Sequence, residues 1–304
     1  MTAGIGTLGI TSEHRDFAES VRGWLARAVP PAVVRAALDA EQEERPAFWG
    51  ELAGQGLLAN HLPEAFGGAG AELLTLAVAL EETGRAAVPG PFLPTATASV
   101  FLAAAAKTNP AVAKTIAALG DGSQTAAVAL GAGALVAESV EGGYLLTGSV
   151  EPVIGAALAD WLLLTARRSD GSEIQALVAS GSLDISALAS LDRTRRVARV
   201  NATGVIVPRD HVIVGATSAL DHIAALLASA EAVGIADWCT RTAAEYAKVR
   251  VQFGKPIGQF QGVKHRCARM VARLEQARSA VWDAAFVAGS GSGLGSGSGS
   301  GLGF

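Results

Sequence analysis

Apolar positions near the start of the chain recur at steps of three and four. Phe17, Val21, Trp24 and Leu25 form one stripe, and Ser12-Glu13 ahead of them supplies a helix start. Pro46 suits the first turn of a helix carrying Phe48, Trp49 and Leu52, which must stop by Gly56. Leu76 and Leu80 predict a helix over Leu73 to Gly84. The run Thr95 to Ala106 follows Pro94, contains Ser99, and reads as a buried helix. From Thr125 the period drops to two or to short apolar runs. Strands are predicted at Thr125–Leu130, Leu135–Glu138, Tyr144–Thr147, Trp161–Thr165, Ile174–Ala179 and Val197–Val207. Gly142-Gly143, Ser169-Asp170-Gly171 and Gly181 mark turns, and Pro208 closes the last strand. Helical periodicity returns from Ser218 to Arg250 and from Gln261 to Val287. Helices, then a block of antiparallel strands, then helices make an α+β layout. The expected division is an all-helical domain at 1–122, a β-domain at 123–214, a helical domain at 215–288 and a tail at 289–304.

Composition narrows the classes. The chain has 304 residues, enough for two or three domains with a substantial core. Half of the residues are hydrophobic, but the mean hydropathy is only +0.35 because alanine supplies the excess. A net charge of -4 argues against a nucleic-acid partner, which needs a basic face. No apolar span long enough for a membrane crossing and no secretory leader are read, and Cys239 and Cys267 lie far apart on helical stretches. A reduced, cytoplasmic protein is therefore expected. Glu41, Glu43 and Glu44 read as a solvated acidic run, and Glu231 as a surface glutamate. Arg193, Arg195 and Arg196 read as a solvated turn rather than a phosphate contact. His265 and Cys267 are two apart on a helix and diverge by about 200°, which disfavours a metal. From Gly289 to Gly303 glycine alternates with Ser and Leu, a composition that behaves as flexible coil.

The most informative string is Arg250-Val-Gln-Phe-Gly-Lys-Pro-Ile-Gly-Gln-Phe-Gln-Gly-Val-Lys264, between two Ala-rich helical segments. Locally it is a helix ending in a cation, a tight connection and a second helix start. Arginine suits phosphate, because its planar fork gives paired charge-assisted hydrogen bonds. A second unusual string, Gly56-Leu-Leu-Ala-Asn-His-Leu-Pro-Glu-Ala-Phe-Gly-Gly-Ala-Gly70, reads as an ordered connection set by paired glycines and Pro63.

The first string resembles the Arg-x-x-Phe-Gly-x-x-Ile-x-x-x-Gln signature of the acyl-CoA dehydrogenase flavoproteins, and the second resembles their Pro-Glu-x-x-Gly-Gly-x-Gly element. The resemblance covers residues 10 to about 287 and implies that family's fold: N-terminal helices, a β-domain, and the first two helices of a C-terminal bundle. It also implies FAD, held partly across a subunit interface. Arg250 and Gln252 would meet the pyrophosphate, Phe253 and Ile257 the adenosine side, and Gln261 the remaining polar edge, with Phe260 in the same segment.

Other family features are missing. The two strand segments that normally seat the flavin match Val128–Glu138 and Gly148–Gly155. There Pro152 stands for the flavin-facing tryptophan and Ile154 for a hydroxyl residue. The catalytic carboxylate has no counterpart: one of its two family positions falls in the Gly/Ser tail and the other at Ala224. The Asp-x-x-Arg pair that assists CoA binding in relatives falls on His222 and Ala225, and neither Asp221 nor Glu231 is at the required place. No catalytic residue is therefore assigned. The resemblance implies the non-catalytic partner of a heteromeric acyl-CoA dehydrogenase, with acyl-CoA as substrate of the complex. A truncated homo-oligomeric dehydrogenase and a non-redox scaffold are the alternatives.

Overall fold

The computed structural model describes residues 10–106 and 110–289. α1 (Ser12–Ala28) is capped by Thr11, whose hydroxyl accepts the His14 N–H while the His14 ring accepts the Thr11 N–H. Its stripe turns inward as predicted: Val21, Trp24 and Leu25 are buried and Phe17 packs on the same core. α2 (Pro31–Asp39) was not predicted. It is short and buries no residue fully, although Val33 and Val34 pack against the core. α3 (Trp49–Gly54), α4 (Leu73–Arg85) and α5 (Phe92–Ala105) follow the expected segments, with Pro94 tolerated in the first turn of α5. α6 (Ala113–Gly120) leads to the sheet.

The predicted strands appear as β1 (Ala126–Ala129), β2 (Val136–Val140), β3 (Gly143–Ile154), β4 (Trp161–Arg168), β5 (Glu173–Ala179) and β7 (Val197–Pro208). β6 (Asp184–Ala187) and β8 (Val212–Val214) were not predicted. They are edge strands of four and three residues, too short for a periodicity to show. The sheet order is β6-β7-β3-β2-β4-β5-β8, with β1 beside β4. It is not wholly antiparallel: β1 and β2 both run parallel to β4, pairing with its first and last residues in turn. β3 is much longer than expected. It passes through Gly148, where a Cβ would lie 2.1 Å from the Ala134 carbonyl oxygen, and continues past a bulge at Glu151-Pro152. β4 and β5 are buried on both faces. Leu163 and Leu177 face the helices, while Leu162, Leu164 and Ile174 face the interior of the curled sheet.

α7 (Thr217–Val249) and α8 (Gln261–Gly289) complete the described residues; the rest of the expected Gly/Ser coil, from residue 290, lies outside them. Helices before and after the sheet share one apolar core. α7 does contain an 18-residue window apolar enough to cross a membrane, contrary to the sequence-based expectation. Its alanines raise the hydropathy, and one flank is packed on α4, α5 and α8.

α4 and α7 meet backbone to backbone. A Cβ on Gly84 would stand 2.1 Å from the Glu231 carbonyl oxygen, and one on Gly234 would stand 1.8 Å from that of Glu81. This approach brings Glu81, Glu82 and Arg85 of α4 against Asp237 of α7. Arg85 pairs with Asp237 and, at 3.1 Å, with both glutamates. Arg278 of α8 bonds Glu81 and Asp237 at 2.9 Å each, and Arg22 of α1 reaches Glu82 at 2.7 Å. Four helices are thus joined through one largely buried, charge-balanced network.

The acidic run and the arginine cluster are solvated only in part: Glu41, Glu44 and Arg193 are exposed as expected, but Glu43, Arg195 and Arg196 are half-buried. The Arg196 guanidinium donates to the carbonyls of Ala40 and Glu41, and its N–H donates to Glu43 at 3.1 Å. Arg193 also reaches the Ala40 carbonyl, at 2.8 Å. The β6–β7 loop therefore fastens the sheet to the α2–α3 connection, a pairing of segments far apart in sequence.

Adding a methyl at Gly234 must separate α4 from α7. Gly234→Ala is expected to lower unfolding free energy by about 3 kcal/mol or more, read from denaturant midpoints, whereas Gly50→Ala, with open space around it, should not. His61 gives a pH signature. Its Nε2 lies 2.8 Å from Ser99 Oγ, and Ser99 donates to the Ala96 carbonyl, so the ring donates to Ser99 and Nδ1 is buried without a partner. Burial pushes its pKa from 6.5 down to about 4. The neutral ring is the folded form, so this contribution is complete above pH 6.5 and is lost as pH falls toward 4. The loss is on the order of 2–3 kcal/mol. His61→Gln should flatten that part of the stability–pH curve; an unchanged slope would refute the assignment.

Candidate functional site

α7 ends where the Arg250 N–H donates to the Tyr246 carbonyl at 2.9 Å. The chain then forms a two-stranded hairpin, β9 (Val251–Gln252) and β10 (Lys255–Pro256). Phe253 and Gly254 occupy its turn with φ of 53° and 77°, both left-handed. Such a turn matches the twist of a hairpin but normally carries Asn or Asp at its first position. A bulky residue there is strained, and strain of this kind collects at functional positions. Phe253 is also 91% exposed, so no burial offsets its conformation.

The hairpin is braced from below. The Ile257 N–H donates to the Arg250 carbonyl at 2.8 Å, which closes the loop. Gly258 lies so near α7 that a Cβ would come within 2.8 Å of the Ala247 carbonyl oxygen. The Phe253 ring meets Phe260 edge-on at 6.1 Å, and the Lys255 ammonium sits 4.6 Å above the Phe260 ring. Ile257 and Phe260 are half-buried, while Arg250, Gln252 and Gln261 are exposed. Among the described residues Arg250 has no side-chain hydrogen bond or ion pair, and Gln252 bonds only the neighbouring Val251 carbonyl. All six sequence-predicted positions thus fall on one rigid projection with unengaged donors. Lys255 adds a second cation there; it was visible in the string but was not assigned a role.

The strand surface that would seat a flavin has a different character. Glu151 and Pro152 form the β3 bulge opposite β7, and Glu151 pairs with Arg199. Ile154 is 43% exposed and offers no donor. A carboxylate, a proline and an aliphatic side chain supply neither an aromatic face nor a hydrogen bond to a flavin ring, and Glu151 opposes an anion. The residues on this strand do not fit FAD. The donor set of the hairpin does.

On α7, Ala224 is buried. Glu231 is not the surface glutamate that was expected: it is 7% exposed and bonds Arg195 of the β6–β7 loop at 2.5 Å. Burial raises its pKa and Arg195 opposes the rise. Its carboxylate is committed to joining the loop to α7. His222 and Ala225 line an apolar groove of about 520 Å³ between α7 and α8, with Leu73 at one end.

The comparisons agree with this architecture. The acyl-CoA dehydrogenase N-terminal domain family matches residues 11–126 and the C-terminal domain family residues 215–293. FadE34 of Mycobacterium tuberculosis, an acyl-CoA dehydrogenase, is 38% identical over 288 residues, 92% of this chain but only 38% of its own length. IpdE2 of the same organism, also an acyl-CoA dehydrogenase, is 34% identical over 275 residues, 90% of this chain and 75% of its own. The chain therefore spans well under half of one relative and three quarters of the other, and FadE34 is about twice as long as IpdE2. Among solved structures, the Tcur3481-Tcur3483 steroid ACAD variant matches with a TM-score of 0.84 and 30% identity, covering 94% of this chain and 80% of that one. The ChsE4-ChsE5 complex from Mycobacterium tuberculosis matches with a TM-score of 0.83 and 27% identity, covering 93% and 79%. With two thirds or more of a relative covered at this identity, and both family domains present in order around the sheet, the chain belongs to the acyl-CoA dehydrogenase family.

Proposed function

We propose that this chain is the non-catalytic subunit of a heteromeric, cytoplasmic acyl-CoA dehydrogenase, and that its hairpin holds the FAD seated on a partner chain. One contrast carries the reading. The projecting segment carries Arg250, Gln252, Phe253, Ile257, Phe260 and Gln261 with the Arg250 guanidinium unengaged and Gln252 bonded only to the adjacent Val251 carbonyl, whereas the chain's own β3 surface presents Glu151, Pro152 and Ile154. Ala224 stands where the family's base would lie on α7, and Glu231 is engaged by Arg195, so neither offers a carboxylate for proton removal from an acyl-CoA.

In this arrangement Arg250 and Lys255 neutralise pyrophosphate charge, Gln252 and Gln261 donate to polar edges of the cofactor, and Phe253 and Ile257 cover its adenosine end. Bound there, FAD supplies the hydride acceptor for alpha,beta-dehydrogenation of the acyl-CoA thioester, while the base belongs to the partner. Similarity to a two-component structure supports the heteromeric reading, as does the doubled length of FadE34, which has room for two family-sized units in one polypeptide.

Purified alone, the chain is expected to be colourless and to show flavin absorbance near 450 nm only when co-purified with a family partner. A yellow, turnover-competent homo-oligomer refutes the proposal. Arg250→Ala in the assembled complex should weaken FAD binding about 10- to 100-fold, the loss of one charge-assisted contact to phosphate. Undiminished flavin content in that variant would instead favour a scaffold.

A further inference from the structure

A cavity of about 460 Å³ is enclosed by the end of α1, α2, the connection from α2 to α3, the α4–α5 connection and the β6–β7 loop. None of its lining residues belongs to α7, the hairpin or β3. Its shape is set by contacts that join segments far apart in the chain. The Gly90 N–H donates to the Thr194 carbonyl at 3.1 Å, and Gly90 lies so close to Pro46 that a Cβ would come within 2.6 Å of the proline ring. The Arg196 guanidinium ties the β6–β7 loop to the carbonyls of Ala40 and Glu41 at the end of α2. The cavity is therefore preformed, and a ligand would not have to order its walls.

The lining combines an apolar wall with carboxylates that lack cations. Val33, Ala37, Phe48 and Pro89 supply apolar surface. Glu43, Glu44 and Glu51 also line the cavity. Glu43 uses one oxygen to accept the Arg196 N–H at 3.1 Å, while its other oxygen is buried and has no hydrogen-bond donor. Glu44 and Glu51 are exposed, and among the described residues neither forms an ion pair. The two arginines of the lining are committed elsewhere: Arg45 pairs with Asp160 at 2.9 Å, and Arg193 donates to the Ala40 carbonyl at 2.8 Å. A cavity of this size suits a small molecule. An anion there would face three carboxylates, and a hydrocarbon would leave the Glu43 oxygen without a donor. A primary ammonium group meets both requirements, because it carries positive charge and three N–H donors; a quaternary one has the charge but no donor.

We infer that this cavity binds a small primary ammonium compound with an apolar body. The ammonium head donates to the free oxygen of Glu43, Glu44 and Glu51 add negative charge at the rim, and the body lies against Val33, Ala37 and Phe48. The site is separate from the cofactor-related hairpin, so the inference does not rest on the functional reading above.

The test measures binding of 3-phenylpropylammonium to the full chain by equilibrium dialysis. The alcohol 3-phenylpropan-1-ol, the carboxylate 3-phenylpropionate and the N,N,N-trimethyl ammonium analogue keep the body and change the head. The primary amine should bind saturably, one per chain, and about 10-fold or more tightly than the alcohol or the trimethyl analogue, while the carboxylate should not bind. Glu44→Gln with Glu51→Gln should weaken the amine roughly 3- to 10-fold and leave the melting temperature unchanged, because both side chains are exposed and unpaired. Ala37→Phe, which fills the cavity from α2, should abolish binding. Equal affinity for the amine and the alcohol would overturn the inference, as would an amine affinity that both variants leave unchanged. Absence of saturable amine binding at millimolar concentration would also overturn it and leave the cavity to water.

Discussion

The close crossing of α4 and α7 governs the rest of the molecule. Two glycines, Gly84 and Gly234, each face a carbonyl of the opposite helix at a distance no side chain could share. This contact sets how near the helices lie, and that nearness brings the carboxylates of Glu81, Glu82 and Asp237 within reach of Arg85 and Arg278. Buried charges are tolerable only when their partners are held in place, and removing one partner costs about 3–5 kcal/mol. The glycine contact and the charge network therefore require each other. Apolar packing alone would allow α7 to slide or rotate; the network fixes its register.

A fixed α7 positions everything at its two ends. Toward the N-terminal half, Glu231 receives Arg195, whose neighbour Arg196 is bonded to the α2–α3 connection. The sheet, the first helices and α7 are thereby linked through one loop. At the other end the helix stops at Arg250 and delivers a braced hairpin with a strained aromatic at its tip. Under the proposed function this rigidity matters, because a clamp acting on a cofactor outside its own chain would have little affinity to spare for ordering itself.

The hairpin and the β3 surface differ in how their side chains are engaged. The hairpin keeps long polar side chains unengaged, while β3 has filled its surface with groups that satisfy one another, Glu151 with Arg199, or that need no partner, as with Pro152 and Ile154. Glu231 shows how a carboxylate on α7 can be present without being available: its partner, supplied by a distant loop, holds it as part of the scaffold.

Much of the architecture was determined by the sequence alone. The change of period at Thr125 and its reversal at Ser218 mark the sheet between two sets of helices, and the string from Arg250 to Lys264 marks the turn between α7 and α8, because these signals are local and depend on residues adjacent in the chain. The short edge strands β6 and β8 left no such signal, since too few of their residues repeat a pattern, whereas α2 carries an apolar face in its nine residues and still was not predicted. What only the tertiary structure decided is which charges are engaged. Glu43, Arg195, Arg196 and Glu231 look like solvated surface in one dimension, and their partners lie far away along the chain. Pairing and burial are properties of distances between elements, and the linear order of residues does not contain those distances.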